Sequence, residues 1–589
     1  MLIGRCRVKK LLLLCGLSAS VYAADPAAPT FARDVAPIIY QNCASCHRPG
    51  EAGPFPLLSY QDVKKHARQI AAVTQSRYMP PWSPAPGYGD FQDERRLTDQ
   101  QIRTIADWVR AGTPQGEVAE EPRPPHFAES WQLGPPDLLL KAQKGFAVPA
   151  AGPDVFWNFV FHPELETTRF VRAIEIRPGG RNVHHANLLI DRMGATRHFG
   201  DGFGGMDLTL TESPFEPEGH FLFWKPGSLP YAEPDGFAWR LDPGNALVLN
   251  THIQTTGKEE SIAPEIGLYF TDKAPARFPI LVELEHDGKL NIPSGDRDFV
   301  VSDHFRVPMD ADVLAVYPHA HYLGKLLEGY AILPDGSRKW LIRIPDWDLN
   351  WQAVYRYREP VFLPRESVVY MQYHYDNSAG NPRNPNDPPK RVEAGNQAKD
   401  EMGHLWLQVL PRGRGDRRRE IQEALMRRRL EKYPNDFSAH LNLGAILMSR
   451  LDMQSAVTEL EAAVKIDPRR PEAHDMLGAA LQGLGFAQQG IAQFRYALQA
   501  DPDYVNARYD LANALVLAGR FDEAVENFRR VVDAFPNSAR MHNQFGVMLA
   551  RQGKLSEAAA EFDRALALEP GNESARRNRD SLRDESAGR

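Results

Sequence analysis

A proline recurs every 34 residues near the end of this chain, at Pro434, Pro468, Pro502, Pro536 and Pro570. Small and apolar positions recur with it, at Leu443-Gly444, Leu477-Gly478, Leu511-Ala512 and Phe545-Gly546, and again at Ala456, Gly490, Ala524 and Ala558. A unit of that length holds two helices and cannot bury its apolar face alone. Stacked copies bury a continuous core. Residues 425–580 are therefore predicted to form a curved α-solenoid with a concave groove. The preceding segment 411–430 is rich in arginine (Arg412, Arg414, Arg417, Arg418, Arg419, Arg427, Arg428, Arg429). It either caps the array or is a solvated charged face.

This period is similar to that of tetratricopeptide repeats, which implies a protein partner in the groove. The chain has 589 residues, a length that suggests about four domains. Its 25% charged and 43% hydrophobic residues exclude wholesale disorder. A net charge of −7 excludes a strongly basic nucleic-acid binder. Four cysteines are too few to staple the chain, which excludes a disulfide scaffold.

Residues 1–23 read as a secretory signal. Arg5, Arg7, Lys9 and Lys10 precede an apolar run led by Leu11 to Leu14, and Val21-Tyr22-Ala23 offers small residues for cleavage after Ala23. Cys15 would suit a lipoprotein, but Leu14 before it is not small. The expected location is periplasmic or secreted. With no other apolar run of about 18 residues, no transmembrane segment is expected in the mature chain. Cleavage removes Cys6 and Cys15 and leaves Cys43 and Cys46.

Those two lie in Cys43-Ala44-Ser45-Cys46-His47, the C-x-x-C-H pattern of covalent haem c attachment, with His47 placed to ligate iron. A thioredoxin-like redox pair is the rival and needs a βαβ context that is missing. The sixth ligand should be a thioether or imidazole. Met79, in Arg77-Tyr78-Met79-Pro80-Pro81-Trp82, resembles the methionine loop of small c-type cytochromes; His66, in a helix expected over Gln61 to Thr74, competes. A helix capped by Thr98 resembles the closing helix of such domains. A small all-α cytochrome c domain is expected over 24–118.

Beyond the linker Glu121-Pro122-Arg123-Pro124-Pro125, short β-rich runs appear: Phe156–Phe161, Arg169–Ile176, Ala246–Ile253, Phe299–Val301, Val313–Tyr317 and Val368–Tyr375. They predict two tandem antiparallel β-sandwiches, 125–275 and 277–410, with a seam at Pro275 to Pro279. Histidines cluster here. His319 and His321 are two apart, so on a strand both reach one face. Adjacent His184 and His185 point apart on a regular strand and can share a metal only at a bend or strand end. His252 follows the apolar run Leu247-Val248-Leu249. Such nitrogen donors suit copper or zinc.

Pro318-His319-Ala320-His321-Tyr322-Leu323-Gly324-Lys325 resembles the His-x-His-x-Leu-Gly-Lys motif of the copper type II, ascorbate-dependent monooxygenases, which include peptidylglycine- and dopamine-hydroxylating enzymes. The match continues through Gly329-Tyr330 and from Pro345-Asp346-Trp347-Asp348 to Trp351-Gln352. His184-His185 matches the family's His-His pair and His252 its single histidine; Asp400-Glu401-Met402 matches its Glu-Met segment. The resemblance implies jelly-roll-like domains holding two copper ions. His184, His185 and His252 would hold the electron-storing copper. His319, His321 and Met402 would hold the catalytic copper, which meets O₂ and an organic substrate C–H bond. Ascorbate, the fused haem or both would supply electrons. The amidating members carry Arg, Asn and Tyr where this chain has Tyr317, His404 and Trp406, so a peptide C-terminus is not the expected substrate. His374 is either second to the site or structural. The alternatives are a non-catalytic electron-transfer or metal-handling protein docked through its repeats, and a scaffold that recruits a separate enzyme.

Overall fold

The computed structural model describes residues 28–587 except 50, 52, 129, 193, 206–218 and 398. The expected signal 1–23 lies outside these residues. The chain divides into two compact units. One comprises the chain up to Pro81 with Arg95–His126, and the other Trp82–Glu94 with Phe127 onward.

The first unit is helical: Ala36–Asn42, Tyr60–Lys65, Ala67–Gln75 and Asp99–Arg110. Phe31, Ile39, Val63, Ile105 and Trp108 fill its core. Thr98 and Gln101 cap Asp99–Arg110 reciprocally, satisfying two orphan N–H groups of its first turn. The helix expected over Gln61–Thr74 is two helices, because His66 leaves helical geometry at φ −108° and ψ 10°.

The span 24–118 is not one body. Residues Trp82–Glu94 pack on the β-rich region. Ala85 N–H donates to the Arg343 carbonyl (2.8 Å) and Gln92 N–H to that of Arg356 (2.7 Å). Phe91, 2% exposed, pairs with Tyr357 and packs on the rings of Tyr355 and Tyr357. Arg338–Ile344 and Tyr355–Leu363 are the outermost strands of their sheets. Their free edges offer backbone groups that a covering segment can satisfy.

The central region is β-rich. In its first half, Leu138–Lys141, Glu265–Thr271 and Arg169–Arg177 pair in that order, and Arg169–Arg177 also pairs Tyr231–Ala232 and Trp239–Leu241. A second sheet runs Gly202–Gly204, Val155–Phe161, Ala246–Ile253, Val183–Asp191, Phe223–Trp224. Both sheets turn side chains, such as Val171, Leu268, Phe159 and Leu249, into one core. In the second half, Ile280–Glu285, Gly403–Pro411, Ala311–Ala320 and Tyr355–Leu363 form one sheet. Phe299–Arg306, Val368–Tyr375, Gly324–Ile332 and Arg338–Ile344 form the other, again around a shared core. Residues 275–279 lie between the last strand of the first half and the first of the second.

Helix Arg418–Lys432 joins this region to the array. Ile421 is fully buried in the sheet core, while Met426 and Leu430 pack on the first helix pair. Its charges are only partly solvated: Arg419 and Arg427 are exposed, whereas Lys432 and Arg428 pair with buried acids. Lys432 Nζ donates to Asp303 and Glu285 (2.8 Å each) and Arg428 to Asp303 (2.8 Å).

The array follows as antiparallel helix pairs, Phe437–Ser449 with Met453–Ile466, Pro471–Gly483 with Ala487–Ala500, Val505–Leu517 with Phe521–Ala534, and Ala539–Arg551 with Leu555–Leu568. Each periodic proline has a structural partner six residues on. The carbonyls of Pro434, Pro468 and Pro536 meet the Nε2 of His440, His474 and His542 (3.0 Å each). Those of Pro502 and Pro570 accept from Arg508 and Arg576. The array's histidines thus latch loop to helix. Glycine recurs because helices touch there: a Cβ on Gly478 would lie 2.7 Å from the Phe494 ring.

Candidate functional site

Strands Val183–Asp191 and Ala246–Ile253 bring His184, His185 and His252 together. His185 lies opposite His252, but Ile253 lies opposite Val183, so His184 is the extra residue of a β-bulge. The bulge lets adjacent histidines turn to one side. His184 Nδ1 and His185 Nδ1 are 3.1 Å apart. Among the described residues, these three form the group close enough to hold one ion, one nitrogen of each lying within 4.8 Å of the others.

Their protonation suits a cation. His252 Nε2–H donates to Asp154 Oδ2 (2.7 Å), which leaves a lone pair on Nδ1. That Nδ1 is buried and has no hydrogen-bond partner. Burial is the largest cause that lowers the His184 pKa to about 4 and takes that of His185 well below its ordinary value. Both rings are therefore neutral at pH 7. The hydrogen bond from His252 holds the Asp154 carboxyl below the usual range.

In the second half, His319 ends strand Ala311–Ala320 and His321 follows it, with ring centroids 5.3 Å apart. His319 Nδ1–H donates to Gln352 Oε1 (2.8 Å) and His321 Nδ1–H to the Asp400 carbonyl (3.0 Å). Both keep an Nε2 lone pair. Burial depresses both, His321 to about 4. Strand Gly403–Pro411 pairs alongside, with Ala320 opposite Gly403, so Met402 is next in register to His321. Buried Glu401 shapes this loop by accepting from the N–H groups of His321, Leu323 (2.9 Å) and Met402 (2.9 Å). Trp347 Nε1–H donates to the carbonyls of Ala320 and His321 (3.1 Å each).

The two clusters are neighbours. Gln352, 1% exposed, contacts His319 through Oε1 and His185 Nδ1 through Nε2 (3.2 Å). Tyr317 Oη–H donates to the same Oε1 (2.8 Å), and its ring packs on Phe223. His404 is opposite His319, but its nitrogens are taken by Glu283 and Asp287 (2.8 Å each). Burial works against charge there, yet these carboxylates raise its pKa to about 10. It stands as an imidazolium and donates no lone pair. His374 lies on another strand with Asp298 on Nδ1 (2.8 Å) and Gln372 near Nε2 (3.2 Å), a structural role. The sequence reading assigned no role to Asp154, Glu401 or Gln352.

In the first unit, Cys43 is the C-cap of helix Ala36–Asn42 and Cys46 follows three residues on. Burial pushes Cys43 up to about 12. His47 Nδ1–H donates to the Phe55 carbonyl (3.1 Å), leaving Nε2 for a ligand. The described residues of this unit contain no strand, so the βαβ setting of a redox dithiol is lacking there. The Phe55 ring lies 5.1 Å from that of His47 and stacks on His66 at 3.7 Å. Met79 follows helix Ala67–Gln75 by four residues, its N–H donating to the Val73 carbonyl (3.1 Å). Of the two candidate sixth ligands, His66 contacts the Phe55 ring, which in turn lies beside His47.

A separate cavity of about 350 Å³ lies between the array and the loop after strand Val183–Asp191. Arg197 of that loop ion-pairs with Asp501 and lies over the Tyr504 ring at 5.7 Å. Part of the array is thus covered by this chain's own loop.

A tetratricopeptide-repeat family model matches residues 476–539 and 509–573, and the chain carries such repeats at its C-terminal end. Similar solved structures include MamA, 25% identical over 25% of this chain and 86% of that one, with a TM-score of 0.24. YrrB, described as a TPR protein with an unusual peptide-binding site, is 22% identical over 27% and 81%, with a TM-score of 0.25. A thermophilic TPR protein of Thermus thermophilus is 20% identical over 28% and 90%, with a TM-score of 0.24. No curated protein matches the chain.

Proposed function

We propose that the chain is an exported copper-dependent monooxygenase that inserts one atom of O₂ into a substrate C–H bond, with electrons arriving through a fused c-type haem, ascorbate or both. The observation that carries this reading is the pair of adjoining histidine clusters, one with an orphaned buried Nδ1. The donors fit copper: three imidazoles in one cluster, two imidazoles and a thioether next in register in the other. Copper, when bound, supplies one-electron redox chemistry and O₂ activation. The chain's residues do the rest. Asp154, Gln352 and the Asp400 carbonyl fix which nitrogen of each ring is free. Phe223 and Tyr317 form an apolar wall beside the clusters. His404 is already neutralised by two carboxylates, so it does not grip a substrate carboxylate. This agrees with a substrate other than a peptide C-terminus. In the first unit, Cys43, Cys46 and His47 would hold haem c, with Met79 or His66 opposite.

The array supports a protein partner. That partner would bind array surface not covered by the Arg197 loop.

The test is metal analysis of purified holoprotein followed by anaerobic reduction and O₂ exposure with candidate substrates. Two coppers per haem, with O₂-dependent product lost in His321→Ala and Met402→Leu but an unchanged haem spectrum, is the expected result. Zinc in both clusters without product would favour a non-catalytic metal-handling protein.

A further inference from the structure

We infer that the repeat array binds a basic side chain of a partner polypeptide, a lysine or an arginine, at Asp475 and Asp510. This rests on the reading of the array as a partner-binding element and is independent of copper and haem.

The first helix of each pair has one face on its own partner helix and one face turned away from it. In helix Pro471–Gly483, His474 bonds to Gln493 (2.7 Å) and Gly478 abuts the Phe494 ring, both on helix Ala487–Ala500. At 3.6 residues per turn, Glu472, Asp475 and Ala479 fall on the opposite side. The next pair repeats the arrangement. In helix Val505–Leu517, Arg508 faces Asn527 of helix Phe521–Ala534, and Asn506, Asp510 and Asn513 fall opposite. Two carboxyls therefore share the inner face of successive repeats.

That face has negative charge without a matching cation. Asp475 is 8% exposed, and its buried Oδ1 has no hydrogen-bond partner. Leaving a buried acceptor unpaired is costly, so such a group calls for a reason. Burial, then the charges of Asp510 and Glu472, hold the Asp475 pKa well above its ordinary value, and burial raises that of Asp510 to about 6. Glu472 is paired with Arg470, so it needs no further partner.

The surroundings indicate which cation fits. Glu472 and Tyr504 line the cavity of about 350 Å³ together with Ser438 and Asn442. Asp475 lies about one turn further along the helix from Glu472, and its charge acts on Tyr504. On this wall the chain's own Arg197 pairs with Asp501 and lies over the Tyr504 ring at 5.7 Å. The wall thus already accepts one guanidinium. A metal ion fits less well. Among the described residues, the three histidines are the group whose donors converge closely enough for one ion, and these carboxyls do not join such a group. Lysine and arginine carry their charge on a long apolar stem that can pass through a narrow opening. Protonated carboxyls attract no cation, so affinity should fall as pH drops through about 6, the Asp510 value.

The test uses the full-length protein and fluorescein-labelled peptides, read by anisotropy at about 0.15 M salt. The peptides alternate glycine with lysine, arginine, Nε-acetyllysine or glutamate. The lysine or the arginine peptide is expected to bind, and the acetylated and acidic ones are not. Asp475→Asn keeps the size of the side chain and removes its charge. It should weaken binding by about 30-fold, and Asp510→Asn should weaken it in the same direction. Unchanged circular dichroism and thermal unfolding in either variant separate loss of charge from loss of fold. Basic-peptide binding that is equal in wild type and both variants would overturn the site and leave the array as a docking element. Binding of the acidic peptide alone would have the same two consequences. Binding of none of the four would overturn the inference and remove support from the partner reading as well. Mn²⁺ binding that Asp475→Asn abolishes would also overturn the inference, by making the pair a metal site.

Discussion

Asp154 and His252 are 98 residues apart in sequence, yet one hydrogen bond of 2.7 Å decides how His252 can act. By donating Nε2–H, the ring turns its lone pair toward His184 and His185. Asp154→Asn should weaken copper at this cluster by about 10- to 100-fold, as read by chelator competition, and leave His319 and His321 unaffected. An equal loss at both clusters would refute a local role. This partner was not legible in the sequence, because nothing near Asp154 marks it. The bulge at His184 was half legible. Adjacent histidines demanded a bend, but its position shows only from the register of Val183 opposite Ile253. Gln352 was visible as part of a motif and mute as to purpose, since its two bonds reach across two sheets.

At the scale of elements, helix Arg418–Lys432 is held by opposite charges at low exposure. Lys432 is 6% exposed, Asp303 2% and Glu285 10% by side chain. Removing the cation leaves buried Glu285 without its ion-pair partner and Asp303 with Arg428 alone, so Lys432→Met should cost about 3–5 kcal/mol in urea unfolding. Burial raises the Asp303 pKa, but Lys432 and Arg428 outweigh it and hold the group below its ordinary value. The stabilisation is therefore complete above the unfolded carboxylate range, about 4, and is lost as pH falls through the folded value. Lys432→Met should flatten that acid limb. In the array, Gly478→Ala should destabilise by about 1–3 kcal/mol, because the added Cβ meets the Phe494 ring at 2.7 Å. A rise in stability would contradict the close helix contact. These helices were the most legible part of the sequence. Each repeat must bury its face on the next, so a fixed period is a physical requirement and survives in residue spacing. In the basic segment 411–430 it was the role of the charges that was not legible, because cations look alike whether solvated or paired. The break at His66 also escaped, since two short helices share one apolar periodicity.

Over the whole molecule, order along the chain and membership in a body do not coincide. The first unit closes only after the chain has left it at Pro81 and returned at Arg95. Between those points Trp82 and Phe91 join the aromatic packing around Tyr355. Composition could not reveal this, because Trp and Phe suit either core. Phe91→Ala should cost about 3–5 kcal/mol, and the loss should appear in the unfolding of the β-rich region while the helical first unit keeps its transition. A shift of the helical unit's transition alone would place Phe91 in the other core. One practical consequence concerns cutting the gene. A fragment starting at Phe127 would lack the strip that covers two sheet edges, leaving a surface prone to stick to other copies. A fragment ending near residue 118 would carry the same strip with nothing to cover. Neither piece can be obtained intact by a single cut. A workable dissection would keep residues 82–94 with the β-rich part and splice Pro81 to Arg95 through a short linker in the other. Recombination that swaps the N-terminal module as a block would meet the same penalty.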